Sequence, residues 1–187
     1  MRGGFKLPMD AADILRFWFD ETAPARWWRA DPAFDTTVQQ RFGAVHEAAV
    51  AGELWGWRAT PEGRLAEVIV LDQFSRNLHR GTPRAFAADG MALALAQEAV
   101  SGGHDQALPV ARRAFLYMPY MHSESRAIHA VAGRLFATPG MEANRESGLR
   151  HRAIVERFGR YPHRNAVLGR VSTAEEAAFL LQPGSGF

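Results

Sequence analysis

Apolar residues recur at three- and four-residue spacing along almost the whole chain, the signature of amphipathic helices. Ile14, Leu15, Trp18 and Phe19 form the first stripe, and Asp10 stands where a cap is needed. Asp31 and Pro32 pair a cap with a proline at the first helical position. Phe34, Val38, Phe42 and Val45 then repeat, and Gly52 marks a stop. Thr60-Pro61-Glu62 opens another helix in the same way, with Leu65, Val68 and Ile69 on its inner face. Thr82-Pro83 predicts the start of a long alanine-rich helix ending near Gly102. Pro109 predicts a short helix that stops before Pro119. Ser123 is the predicted cap of a helix carrying Ile128, Val131 and Leu135, closed by Pro139-Gly140. Ile154, Val155 and Phe158 mark the next helix, ended by Gly159. Thr173-Ala174-Glu175-Glu176 reads as a capping box ahead of Phe179 and Leu180, and Pro183 ends that helix.

No alternating β pattern competes, so the fold class is all-α: antiparallel helical pairs in a bundle or solenoid, with no β-sheet. No Gly/Ser linker divides the chain, so residues 1–187 read as one helical domain, with 1–8 as a flexible N-terminus. There is no clean repeat at the tetratricopeptide length of roughly 34 residues. A weaker echo exists. Arg76-Asn77 follows Phe74, and Arg164-Asn165 follows Tyr161. Coincidence and equivalent turns in two structural units both account for it.

Composition narrows the classes. Apolar content of 47% and charged content of 22% are ordinary for a water-soluble globular chain. Cysteine is absent, which rules out disulfides and thiolate metal sites and fits a cytoplasmic location. No stretch approaches the ~18 apolar residues of a membrane span. Net charge is only +2, and Lys6 is the single lysine among 22 basic residues. Residues 145–170 hold seven arginines against Glu146 and Glu156, a surplus that an anion can exploit and that a solvated helix face explains almost as well. The aromatics follow core periodicity, so nucleic acid is not an expected partner. An oligomer contact through Trp55 or Trp57 stays open.

Candidate chemistry concentrates in three runs: Leu71–Asn77, Met118–Glu124 and Arg160–Asn165. Each mixes aromatic or methionine side chains with groups that are unfavourable to bury unpaired. Asp72 continues the stripe of Leu65, Val68 and Ile69, and Arg76 lies one turn on to pair with it. Such a pair either pins the helix end or serves a ligand. Asn77 is expected to close that helix in a left-handed conformation. Extending the stripe of Ile128, Val131 and Leu135 back one turn lands on Glu124, which is expected to face inward in the first turn. His122 sits just before that helix, and His151 shares a face with Ile154 and Val155. His163, Arg164 and Asn165 follow the Gly159 stop in a proline-containing loop, where they can clamp an anion or cap helix carbonyls.

Three functions fit. The leading one is a pocket that binds a small anionic or polar ligand, or a peptide terminus. Asp72, Arg76, Asn77, His151, Arg164, Asn165 and Arg170 would contact the ligand. The second is an enzyme using His122 or His163 as acid or base, oriented by Glu124 or Asp72. The third is a protein–protein scaffold with structural motifs. Asp72, His122, Glu124, His151 and His163 lack any recognised metal-binding spacing, and no glycine loop or nucleophile elbow is present, so no metal is expected and no cofactor can be named.

These same residues carry a resemblance. Leu71–Asn77 with Arg80-Gly81-Thr82, Pro119–Glu124, and Phe158–Asn165 with Leu168-Gly169-Arg170 resemble the signatures of an uncharacterised bacterial family, domain of unknown function number nine hundred and twenty-four. Leu15–Phe19, Trp27-Trp28, Ser172–Glu176 and Phe179-Leu180 are similar to it too. The chain departs from the pattern at Ala127 and His129, where a more acidic and amide-rich stretch is expected. The resemblance implies an all-helical, tetratricopeptide-like fold and implies no activity.

Overall fold

Asp10 begins the first helix as its sequence suggests. Its carboxylate accepts from the Asp13 amide, and the Asp13 side chain accepts from the Asp10 amide, both at 3.0 Å. The computed structural model describes residues 9–186, so the expected flexible segment 1–8 lies outside the described residues. The chain is all-helical, with no strand among the described residues. In order, the α-helices are α1 Ala11–Arg16, α2 Pro32–Val50, α3 Pro61–Ile69, α4 Ser75–Leu78, α5 Asp89–Ser101, α6 Val110–His122, α7 Arg126–Leu135, α8 Glu142–Phe158 and α9 Ala174–Leu180.

Asp31 and Thr60 cap α2 and α3, and each is followed by proline at the first helical position. Gly63 is needed in α3, because a Cβ there would come within 1.9 Å of the Trp57 carbonyl oxygen. Packing proceeds stepwise: α5 against α6, α6 against α7, and α7 against α8, while α3 contacts α1, α5 and α6. Consecutive helices that pack through short turns form hairpins. The main core gathers Trp18, Phe42, Phe74, Leu116 and Phe136. Ile154, Val155 and Tyr161 form a smaller cluster beneath α9 with Phe158 and Phe179.

Four local expectations are corrected. The long helix expected from Thr82 is a single 3₁₀ turn, Pro83–Ala85, and α5 begins only at Asp89. Helix α6 does not stop before Pro119 but runs through it to His122. Burial of Leu116, Tyr117, Met118, Tyr120 and Met121 on its flanks outweighs the one backbone hydrogen bond that proline removes. Ser125, not Ser123, caps α7, so Glu124 precedes the helix instead of occupying its first turn. Asn77 is helical rather than left-handed, and no described non-glycine residue has a positive φ; Gly81 takes that conformation, at φ 76°.

Two π turns interrupt the α pattern, at Phe17–Glu21 and at Val70–Phe74. The second joins α3 to α4 and buries five consecutive residues, Val70 to Phe74. It continues a buried run that begins at Leu65 in α3, so Asp72 and Gln73 are inside because this segment is enclosed by its neighbours on every face.

A candidate functional site at the ends of α3, α5 and α6

Asp72 is 1% exposed. Its Oδ1 receives a hydrogen bond from His122 Nδ1 at 2.7 Å and lies 3.2 Å from Arg76 Nη1, and its Oδ2 receives the Gln73 amide at 2.6 Å. Burial opposes ionisation, yet the Arg76 guanidinium and the His122 ring hold the carboxyl well below the usual carboxylate range. Arg76 also donates to the Asp72 carbonyl at 2.6 Å and to both oxygens of Asp89 at 3.0 and 3.1 Å. Arg164 approaches the same Asp89 at 3.1 Å and donates to the His122 carbonyl at 3.0 Å. The two Arg-Asn echoes therefore meet through their arginines on one carboxylate. Their asparagines part: Asn77 donates to Asp35 at 2.8 Å, and Asn165 to Ser172 at 3.0 Å.

Glu124 and Arg170 adjoin this network. Arg170 grips Glu124 with two nitrogens, at 2.6 and 2.9 Å, and reaches the Asn165 side-chain oxygen at 2.9 Å. Glu124 also accepts from the Tyr161 amide at 2.7 Å. Burial works against the charged form of Glu124, but the Arg170 hydrogen bonds win and lower its acidity range. Tyr161 donates its hydroxyl to the Met121 carbonyl at 2.6 Å, which ties the 160–165 loop to the end of α6.

His151 and His163 flank Tyr161, with rings 5.8 and 5.4 Å from its own. The His151 ring is also 6.3 Å from that of His122. Burial, reinforced by neighbouring His122, pushes His151 down to about 3. Burial and neighbouring Arg164 push His163 down to about 4. Both rings are thus neutral near pH 7. Among the described residues no group of three or more His, Asp or Glu side chains is placed to hold a metal ion.

A cleft of about 320 Å³ opens beside the network. Phe86, Leu93, Pro119 and Leu168 give it apolar walls, and Asp89, His122, Ser123, Glu124 and Arg164 give it polar ones. The Arg164 guanidinium lies 4.5 Å from the Phe86 ring centroid and 4.8 Å from that of Tyr161. Its Nε is buried with no hydrogen-bond partner among the described residues.

Of the residues singled out from sequence, Asp72, Arg76, His122 and Arg164 form one bonded group and Glu124, Asn165 and Arg170 another, and the two meet at Tyr161, which bonds Glu124 and stacks on Arg164. His151 and His163 stand behind it, and Asn77 lies apart on Asp35. Asp89 and Tyr161 were missed. Asp89 lay inside the helix expected from Thr82, and only the later start of α5 puts it in a first turn, where the helix dipole favours an acid. Ser75 is buried and donates to the Leu71 carbonyl at 2.5 Å while His46 lies 2.8 Å from its hydroxyl, so it belongs to the core.

A helical fold with a polar, charge-balanced cleft at helix ends defines a class of architecture but names no reaction. The chain belongs to the family described as bacterial protein of unknown function (DUF924), whose pattern spans residues 14–184. Among solved structures it is similar to the protein of unknown function ATU0120 from Agrobacterium tumefaciens, with 43% identity and a TM-score of 0.87 over 91% of this chain and 96% of that one. No functionally curated protein matches it.

Proposed function

We propose that the cleft binds a small polar molecule carrying one anionic group. The observation that carries this reading is Arg164. It lines the cleft, is 7% exposed, is held between two aromatic rings, and has a buried Nε with no hydrogen-bond partner among the described residues. A buried donor without a partner is unfavourable by roughly 1–3 kcal/mol, which an accepting ligand would recover once a small turn of the side chain brings Nε to the cleft. Across the network Arg76, Arg164 and Arg170 face Asp72, Asp89 and Glu124, and of these Arg164, Asp89 and Glu124 line the cleft itself. That balance disfavours a polyanion and suits a ligand whose single anionic group meets Arg164 and whose remainder lies on Phe86 and Leu93. The cleft volume sits at the low end of the range for small-molecule sites. No helix among the described residues is long and apolar enough to cross a membrane, consistent with a site open to aqueous solutes.

The test is an NMR titration that follows the arginine Nε–H groups during addition of amino acids, small dicarboxylates and monocarboxylates. At least one solute is expected to move the Arg164 signal saturably. If every solute leaves that signal in place, the reading is wrong.

A second reading rests on the 2.7 Å contact between Asp72 and His122. A carboxylate on Nδ1 fixes the imidazole so that Nε2 becomes the exchanging nitrogen, the arrangement of a general base. His122 lines the cleft, so acid–base chemistry on the bound molecule follows. Turnover of any substrate found should vanish in His122→Gln with the fold kept; persistence of turnover would remove this reading.

A further inference from the structure

The arginine surplus of residues 145–170 acquires a location away from the cleft. Between α7 and α8 lies a second cavity of about 230 Å³, bordered by Arg134, Arg145 and Arg152. Arg134 and Arg145 make no ion pair among the described residues. Arg152 gives its Nε to Glu156 at 2.6 Å, and its Nη1 reaches over Gly133, 3.9 Å from where a Cβ would sit. Gly148 faces the same space from α8. Small residues at facing positions leave room that ordinary helix packing would fill.

His129 also lines the cavity and is 1% exposed. Its Nε2 lies 2.8 Å from the Ser123 carbonyl oxygen and 3.1 Å from the Tyr161 hydroxyl. Its Nδ1 is buried and has no hydrogen-bond partner among the described residues. With Nε2 donating to the carbonyl, Nδ1 is left as an acceptor. A basic cavity lined by a histidine with an unsatisfied acceptor asks for an anion that can also donate.

We infer that this α7–α8 cavity is a binding site for a phosphoryl group. A carboxylate offers only two oxygens and has no proton to give near pH 7. A phosphoryl group has oxygens enough for three guanidiniums and, as a hydrogen phosphate, an O–H for His129. The volume is smaller than the range of drug-sized pockets, so the site takes the phosphoryl head and leaves the rest of a phosphorylated solute outside, over the exposed Leu149. The site shares no lining residue with the cleft at Arg164.

Titration calorimetry at low ionic strength tests it, with inorganic phosphate and pyrophosphate as probes and acetate as comparator. Saturable phosphate binding is expected, mapped by amide shifts to residues 129–152. Both Arg134 and Arg145 are exposed, so the double variant Arg134→Gln/Arg145→Gln keeps the fold and should weaken binding by about tenfold or more, each lost charge-assisted contact being worth about that factor. Gly90→Leu, which alters only the cleft, should leave phosphate affinity unchanged. Absence of saturable binding overturns the inference. So does affinity unmoved in the double variant, or acetate binding as tightly as phosphate.

Discussion

Asp72 and His122 stand 50 residues apart in the chain and share a 2.7 Å hydrogen bond where the π turn after α3 meets the end of α6. Asp72 is thereby the common partner of a histidine and an arginine inside the protein. Asp72→Asn keeps the shape and removes the charge that both face. Breaking a buried ion pair leaves the other charge stranded, a loss of about 3 kcal/mol. Urea unfolding at pH 7 measures it, and a loss below about 1 kcal/mol would contradict the described network.

The pairing was partly legible. Helical phasing carried Asp72 inward from Ile69, and the four-residue step to Arg76 gave its partner. The meeting with His122 was not legible, for two physical reasons. A π turn shifts the phase that a 3.6-residue period assumes, and α6 continues through Pro119, a residue that ordinarily ends a helix. Glu124 was placed inward for a mistaken reason. It is half-buried because Arg170 and the Tyr161 amide hold it, not because it continues the α7 stripe. Asp89 escaped because its partners come from segments far from it in sequence, 13 residues to Arg76 and 75 to Arg164.

His151 should make the fold sensitive to acid. Burial first, then neighbouring His122, depresses its folded value to about 3 from an ordinary 6.5. The unfolded chain therefore binds a proton that the native state refuses, and stability falls as pH drops below about 6.5 until the native ring titrates near 3. The slope is up to about 1.4 kcal/mol per pH unit. Unfolding free energies at pH 6 and pH 4.5 should differ by about 2 kcal/mol more in the wild type than in His151→Gln. Equal differences in the two proteins would show that the ring protonates freely in the native state.

Arg170 should control the 160–165 loop. Its two bonds to Glu124 position the carboxylate that accepts the Tyr161 amide. In Arg170→Ala, hydrogen exchange at the Tyr161 amide should quicken by about tenfold, the equivalent of about 1.4 kcal/mol of local opening. Unchanged exchange at Tyr161 would mean that Glu124 holds the loop without Arg170.

Asn77 serves as a contrast within the first polar run. Its amide belongs to Asp35, alongside Arg80, which reaches the same carboxylate at 2.7 Å. Asn77→Ala should lower stability by about 1 kcal/mol, the value of one hydrogen bond, and leave binding in the cleft intact. Loss of ligand binding without loss of stability would move Asn77 back into the site.

Gly90 allows the cleft to be closed without damaging the helix that bears it. It lines the cleft near the start of α5, and a Cβ placed there meets no heavy atom within 4 Å. Replacing a helical glycine adds up to about 1 kcal/mol of stability, so Gly90→Leu should fold at least as well as the wild type. The most direct measurement is the thermal midpoint of wild type and Gly90→Leu with each member of a panel of amino acids and small carboxylates. The account predicts that at least one solute raises the wild-type midpoint by several degrees and leaves Gly90→Leu unmoved. A panel that shifts neither protein, or shifts both equally, would contradict it.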